Sequence, residues 1–247
     1  MYYVIRHDSG LPCDSMLRRG VLAYRALALR KSICMIYEER RTLTHSKSAD
    51  DYLEYCKNDL WPNLKAEGGQ HICLLSGLIG DPANQYLQVT GFEDVQAWEA
   101  AQSSVAPSPA SLVESESVRL LRPVASRPKS PVPQEDRRAV YGCRRFFIDP
   151  ADLSDFVNSS QNGIWPRVES QGACILGLWT TIATTQPMEV LLLTGYHSPT
   201  HWEETRVTST RQADVDQTLR GQELPLRDRR VDISQKTWVR LMRAHWV

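Results

Sequence analysis

The sequence predicts an α+β protein made of two tandem copies of one βαββαβ module. Three observations predict it. Landmark residues recur at a constant separation, each copy repeats one order of strand-like and helix-like segments, and the strands are apolar on both faces. Trp61-Pro62 recurs as Trp165-Pro166, Gly68 as Gly172, Thr90-Gly91 as Thr194-Gly195, and Trp98-Glu99 as Trp202-Glu203, each pair 104 residues apart. Tyr37 and Tyr141, Arg40-Arg41 and Arg144-Arg145, and Asp51 and Asp155 carry the register upstream. A separation held this long marks a duplicated unit. Near the end of each copy, VRLLR at 118–122 resembles VRLMR at 239–243 at a larger separation. The second copy therefore carries extra chain, placed at about 208–236.

Each copy opens with a strand, at 34–43 or 140–148. A helix follows, at 49–64 or 150–168. Asp149 suits an N-cap, with Pro150 as the first helical residue. Gly68 and Gly172 stand where a helix ends. Two strands come next, at 70–79 and 85–92, or 174–183 and 188–196. Residues 80–84 (GDPAN) make a turn. A second helix spans 94–102 or 199–207, and a last strand closes the unit at 117–122 or 237–246. This order is the ferredoxin-like plan. Modules are expected at 35–122 and 139–247, joined by a mobile Pro- and Ser-rich linker at 123–138. Residues 1–34 form an extension with helical spacing at 16–29. Residues 208–236 read as a long polar loop with a helical turn near 213–219.

Strand alternation assigns faces. Ile72, Leu74, Leu87, Val89 and their counterparts Leu176, Leu178, Leu191 and Leu193 are expected under the helices. His71, Cys73, Leu75, Tyr86, Gln88, Thr90 and Phe92 are expected on the opposite face. So are Ile175, Gly177, Trp179, Val190, Leu192, Thr194 and Tyr196. That second face is too apolar for water. Two such faces in one chain should pack together, making a pseudo-dimeric α/β barrel.

The 247 residues are 42% apolar and 23% charged with zero formal net charge, which is ordinary for a globular protein. Nothing in the charge balance points to nucleic acid, and no run of about 20 apolar residues suits a membrane span. The first ten residues lack the plan of a secretory signal. Six scattered cysteines with no C-x-x-C pair point to reduced thiols and a cytoplasmic setting.

Residues 35–40 (MIYEER), followed by Trp61-Pro62, a glycine, an apolar strand pair and a Trp-containing helix, resemble the NIPSNAP family of the dimeric α/β-barrel superfamily. The resemblance covers about 35–122 and 139–246. In that superfamily two single-module chains pair into a barrel, and here duplication would supply both halves within one pseudo-dimeric chain, alone or as a homo-oligomer. The superfamily includes cofactor-free monooxygenases, isomerases and haem proteins, so the fold alone does not name a reaction.

Candidate chemistry follows from residue type and matching. Arg40 and Arg144 are matched cations suited to a carboxylate, enolate or phosphate; pairing of Arg40 with Glu38 is the structural alternative. His71 suits a general base, and a hydrogen-bonded structural histidine is the alternative. Trp179, Tyr196, Thr90, Thr194, Tyr86, Gln88 and His197 are the candidate substrate contacts. His197 and His201 have metal-pair spacing, but Ser198 and Pro199 put a helix start between them, so no metal is assigned. The run 227–230 (RDRR) reads as solvated surface. Motifs for nucleotide binding and for a nucleophilic serine are missing.

The expected function is binding of a small apolar or aromatic molecule between the two sheets. The expected chemistry is cofactor-independent proton transfer, oxygenation, isomerisation or cyclisation by His71 with Arg40 or Arg144. A non-catalytic binding or adaptor module and a metal- or haem-dependent oxidoreductase are the alternatives. Positions where the copies differ matter most: Glu38 against Gly142, His71 against Ile175, and Leu75 against Trp179.

Overall fold

The computed structural model describes residues 35–209 and 216–246. The helix expected at 16–29 lies outside them. The first half contains β1 (Ile36–Thr44), β2 (Gln70–Ile79), β3 (Gln85–Phe92) and β4 (Val113–Pro123). The second contains β5 (Val140–Ile148), β6 (Cys174–Thr181), β7 (Met188–Tyr196) and β8 (Ser234–Ala244). The strands run β4-β1-β3-β2 in one half and β8-β5-β7-β6 in the other. The halves join antiparallel through β2–β8 and β4–β6, closing an eight-stranded barrel. Closure leaves this sheet no free edge among the described residues.

The helices lie outside the barrel wall, and their starts follow the expected caps. In the first half α1 (Ala49–Tyr55) continues through a π turn (Cys56–Leu60) into α2 (Trp61–Ala66). The second half repeats this with α4 (Leu153–Ser159), a π turn (Ser160–Ile164) and α5 (Trp165–Ser170). Each π turn comes just before a Trp-Pro pair. Proline cannot donate to the preceding turn, and its ring crowds the carbonyl four residues back. A widened turn relieves that clash. Gly68 and Gly172 then end the helices at φ of +81° and +89°, where a Cβ would be strained. The other helices are α3 (Val95–Ser104), capped by Asp94, and α6 (Pro199–Glu204), capped by Ser198.

The second-half insertion is a helix rather than a loop. It forms α7 (Gln217–Asp232), although Pro225 removes one intrahelical hydrogen bond. Asp216 caps its start by accepting from Thr218 N at 2.7 Å. Arg229 ties it to Asp152 and Asp155 beside α4. Leu226 sits so close to Gly163 that a Cβ there would lie 2.6 Å from it. These contacts hold a polar segment that hydrophobic periodicity does not mark. β4 also begins earlier than the expected strand at 117–122, at Val113. In the linker, Val132 is buried in the barrel's inner core.

The expected faces hold for part of β2 and β6 and fail elsewhere. Cys73, Leu75 and Trp179 belong to the barrel interior, while Leu74 and Leu178 lie under the helices. The register shifts between His71 and Cys73, and again between Ile175 and Gly177. This bulge adds one residue, so parity reverses across it. Ile72 and Leu176 turn into the interior, while Ile175 joins the helix-side core and His71 stacks on Trp61 of α2. On β3 and β7 the expected faces are reversed. Directly paired residues share a face, so Leu87 follows Leu75 and Val89 follows Cys73 inward. Tyr86, Phe92, Val190, Leu192 and Tyr196 pack under the helices. Gln88, Thr90 and Thr194 share that parity.

The interior is filled by side chains from both halves. Trp179 meets Tyr37 edge-on at 5.8 Å. Arg145 pairs with Glu39 and Glu189, and Arg119 pairs with the same two at 2.7 and 3.0 Å. Glu39 on β1 is fully buried and Arg145 on β5 nearly so. Two cations against two anions leave this network neutral. Of each expected arginine pair, Arg41 and Arg145 share parity with the interior residues Tyr37 and Tyr141, whereas Arg40 and Arg144 face the helices.

Candidate functional site

Space for a ligand lies between the barrel wall and the helices, at equivalent places in the two halves. The first cavity, about 760 Å³, is lined by Trp61, Leu64, His71 and Thr90, with Arg137 and Pro131 from the linker side. The second, about 290 Å³, is lined by the counterparts Trp165, Val168, Ile175 and Thr194, with Gly142, Arg144 and residues of α7. Both cavities come from the Trp-Pro helix standing over the end of the strand pair. They differ in polar content.

In the first half the donors around the Trp-Pro helix that the repeat matches, Arg40, Trp98, Gln102 and Trp61, all have acceptors. Glu38 is buried and its Oε1 accepts from Arg40 Nε at 2.7 Å. Its Oε2 accepts from Trp98 Nε1 at 2.7 Å and Gln102 Nε2 at 2.9 Å. Arg40 also pairs with Glu116 of β4. These partners hold its pKa above the usual value despite burial. Trp61 Nε1 donates to Gln88 Oε1 at 3.3 Å, and Gln88 Nε2 donates to Thr90 Oγ1 at 3.0 Å. That relay leaves the Thr90 proton to donate into the cavity.

His71 is the exception. It pairs with Thr90 across the strands, and its ring lies 4.2 Å from that of Trp61. Both ring nitrogens are buried without a hydrogen-bond partner. Burial, and then the nearby Arg137 charge, push its pKa down to about 4. It is therefore neutral near pH 7 and has two polar atoms to offer a ligand. Buried polar atoms are seldom left unpaired in proteins, and such exceptions mark candidate sites.

In the second half donors remain at the matched positions, while the acceptors matched to Glu38, Glu116 and Gln88 are gone. Gly142 stands for Glu38, Thr237 holds the register position of Glu116, and Leu192 stands for Gln88. Arg144 has no carboxylate partner among the described residues and lies over the Phe146 ring at 5.8 Å. Burial lowers its pKa. Arg230 of α7 faces the same ring at 5.0 Å. Burial, with Arg144 as the next cause, pushes its pKa down to about 9. Trp165 Nε1 is buried without an acceptor. Arg167 is matched in charge by the buried Glu223 at 2.7 Å, and towards the surface Arg206 pairs with Glu203 at 3.2 Å and Arg227 with Asp228 at 2.9 Å.

The structure separates the three expected catalytic residues. His71 lines the first cavity and Arg144 the second, while Arg40 is enclosed in its ion pairs. Of the expected substrate contacts, Thr90 lines the first cavity and Thr194 and Tyr196 the second. Gln88 stands behind Thr90. Trp179 is enclosed in the interior. Tyr86 donates to Ala49 O at 3.0 Å. His197 stacks on His201 at 5.0 Å, and its backbone N donates to His201 Nδ1 at 3.1 Å. Arg227 and Arg230, expected on solvated surface, line the second cavity. Arg137, Trp165 and Arg206 were not expected at a site; the shared register pointed only to the tryptophan.

No protein-family model and no curated protein matches this sequence. Solved structures do match its fold. A candidate monooxygenase from Lactobacillus acidophilus NCFM aligns over 85% of this chain and 94% of its own, with a TM-score of 0.53 and 11% identity. An anthrone oxidase-like protein aligns over 86% and 91%, with a TM-score of 0.55 and 10% identity. A NIPSNAP-like domain protein from Burkholderia xenovorans aligns over 40% of this chain and 92% of its own, with a TM-score of 0.35 and 20% identity. The pseudo-dimeric α/β barrel expected from the sequence is the fold found. No helix among the described residues is long and apolar enough to cross a membrane.

Proposed function

We propose that the chain is a small-molecule enzyme whose substrate occupies the first-half cavity, with His71 receiving a proton and Arg137 stabilising the oxyanion. The observation that carries this is His71 itself, half-buried on the cavity wall with both ring nitrogens enclosed and unpartnered. A volume of about 760 Å³ suits a multi-ring apolar molecule. The Trp61 ring and Leu64 supply flat apolar walls, and Thr90 supplies a donor. An imidazole with a pKa of about 4 is a weak base in the empty cavity. Negative charge developing on a substrate beside it raises that pKa, so proton transfer becomes favourable as the substrate anion forms. The resulting carbanion, stabilised by Arg137, is the species that reacts with O2 without a cofactor.

The names of the full-length structural neighbours support oxygen chemistry on an aromatic substrate, although their likeness at 10–11% identity extends to the fold alone. Anthrone is the natural probe. The protein is expected to bind it and to consume O2 in its presence. His71→Gln is expected to slow that turnover about 100-fold or more while leaving binding near the wild-type value. Turnover unchanged in His71→Gln, or neither binding nor turnover in the wild type, would contradict the proposal. The filled interior around Trp179 and Tyr37 favours a second reading, a non-catalytic binding module. Anthrone binding with no O2 uptake would select it.

A further inference from the structure

We infer that the second-half cavity is a separate binding site for a small organic carboxylate, seated where the first half holds the side chain of Glu38. The inference goes beyond the proposed enzyme site, from which it differs in cavity, residues and ligand. The internal repeat acts as its own control. In the first half, Arg40, Trp98 and Gln102 converge on the Glu38 carboxylate. Their counterparts at the same separation are Arg144, Trp202 and Arg206, and all three line the second cavity. There the chain supplies Gly142 instead of a glutamate, and Thr237 instead of Glu116.

Three further observations point to an anion. The Trp165 Nε1 donor is buried without an acceptor, whereas Trp61 has Gln88. Arg230 of α7 adds a cation that the first half lacks; it donates to Ser160 Oγ at 3.3 Å, and neither it nor Arg144, which faces the same phenyl ring, is in an ion pair among the described residues. Poor solvation, and after it a neighbouring arginine (Arg206 for Arg144, Arg144 for Arg230), depresses the pKa of both despite the Glu223 charge near Arg230, a condition that a bound anion relieves. Ile164, Val168, Ile175 and Leu192 supply an apolar part of the wall, while Glu223, which also lines the cavity, is taken up by Arg167 at 2.7 Å. The ligand is thus a carboxylate with a short apolar or aromatic body, within about 290 Å³. Arginine binds the planar carboxylate in two-pronged fashion.

The test needs no knowledge of the natural ligand. A Cβ added at Gly142 would lie 3.3 Å from Tyr196 Cε2, 3.6 Å from Val239 and 3.8 Å from the Thr194 carbonyl, so a side chain fits with a small shift. Gly142→Glu rebuilds the first-half arrangement, and Gly142→Gln is its neutral match in shape. The Glu variant is expected to melt several degrees above the Gln variant. In calorimetry, benzoate and butyrate are expected to bind the wild type, benzamide and butyramide at least tenfold more weakly, and the Glu variant is expected to bind none of them. Arg144→Gln is expected to lose carboxylate binding while remaining folded by circular dichroism. A Glu variant melting at or below the Gln variant would overturn the inference. So would amides binding as tightly as the acids, or no carboxylate binding below a Kd of about 10 mM. None of these readouts involves His71 or O2, so this site and the proposed enzyme site fail independently.

Discussion

The two halves are the same machine with opposite electrostatic solutions. Around the first Trp-Pro helix, Arg40, Trp98, Gln102 and Trp61 all find acceptors in Glu38, Glu116 and Gln88. Around the second, Arg144, Trp202, Arg206 and Trp165 keep the donors while Gly142, Thr237 and Leu192 supply no carboxylate or amide. An unpaired buried charge is strongly unfavourable. The second half keeps Arg144 and Arg230, half-buried and outside any ion pair among the described residues, beside a cavity that α7 helps to cover. Duplication is what makes this legible, because each half shows what the other would look like if its donors were satisfied internally. The proposed proton transfer belongs to the first half, where His71 stands at the position of Ile175 in the second.

Removing Glu39 breaks the joint between the halves, since its carboxylate on β1 holds Arg145 on β5 and Arg119 on β4. Glu39→Ala is expected to cost about 3–5 kcal/mol by leaving buried guanidinium charge uncompensated. Urea unfolding measures this, and a loss below about 1 kcal/mol would show that the network is solvated in solution. Converting the first half into the second comes next. Glu38→Gly combined with Glu116→Thr is expected to cost about 3 kcal/mol. Added benzoate should restore part of that loss if the donors around Arg40 then bind it as those around Arg144 do.

The third effect depends on pH and belongs to the first half alone. The His71 pKa of about 4 lies below the ordinary 6.5. As pH falls through 6.5 the unfolded chain takes up a proton first, while the folded chain resists until about pH 4. Stability from this residue is therefore full above pH 6.5 and lost between pH 6.5 and 4. The loss is up to about 3 kcal/mol. His71→Phe should remove this part of the acid sensitivity, seen as a flatter dependence of unfolding free energy on pH across that window. The smallest effect sharpens the donor comparison. Gln88→Leu copies the second half at one position and strands Trp61 Nε1. It is expected to cost about 1–2 kcal/mol, by the same unfolding measurement.

The sequence carried the duplication, the strand order within each module and the helix ends, because those rest on local chemistry. Asp149, Ser198, Gly68 and Gly172 act at the backbone they belong to. Faces were less readable. One extra residue at Ile72 reverses alternation along β2, and nothing in the local composition marks that bulge. The reversed faces of β3 and β7 then moved Thr90, Thr194 and Tyr196 from the interior to the helix side. The mismatch of Glu38 with Gly142 was visible as a difference between copies. Its meaning was not, because the matching loss of Glu116 to Thr237 lies on strands whose sequence separation changes after the insertion. Arg230 was hidden for a related reason. Its helix is polar, held by Arg229 on Asp152 and Asp155 and by the close approach of Leu226 to Gly163, and such tertiary contacts leave no periodic trace.

A crystal structure of the wild-type protein with benzoate would test the central contrast most directly. With the two halves superimposed on their common register, the benzoate carboxylate is expected on Arg144, at the place the Glu38 carboxylate occupies against Arg40. Benzoate seated elsewhere, or a second cavity that excludes it while Arg144 turns away to solvent, would contradict the account.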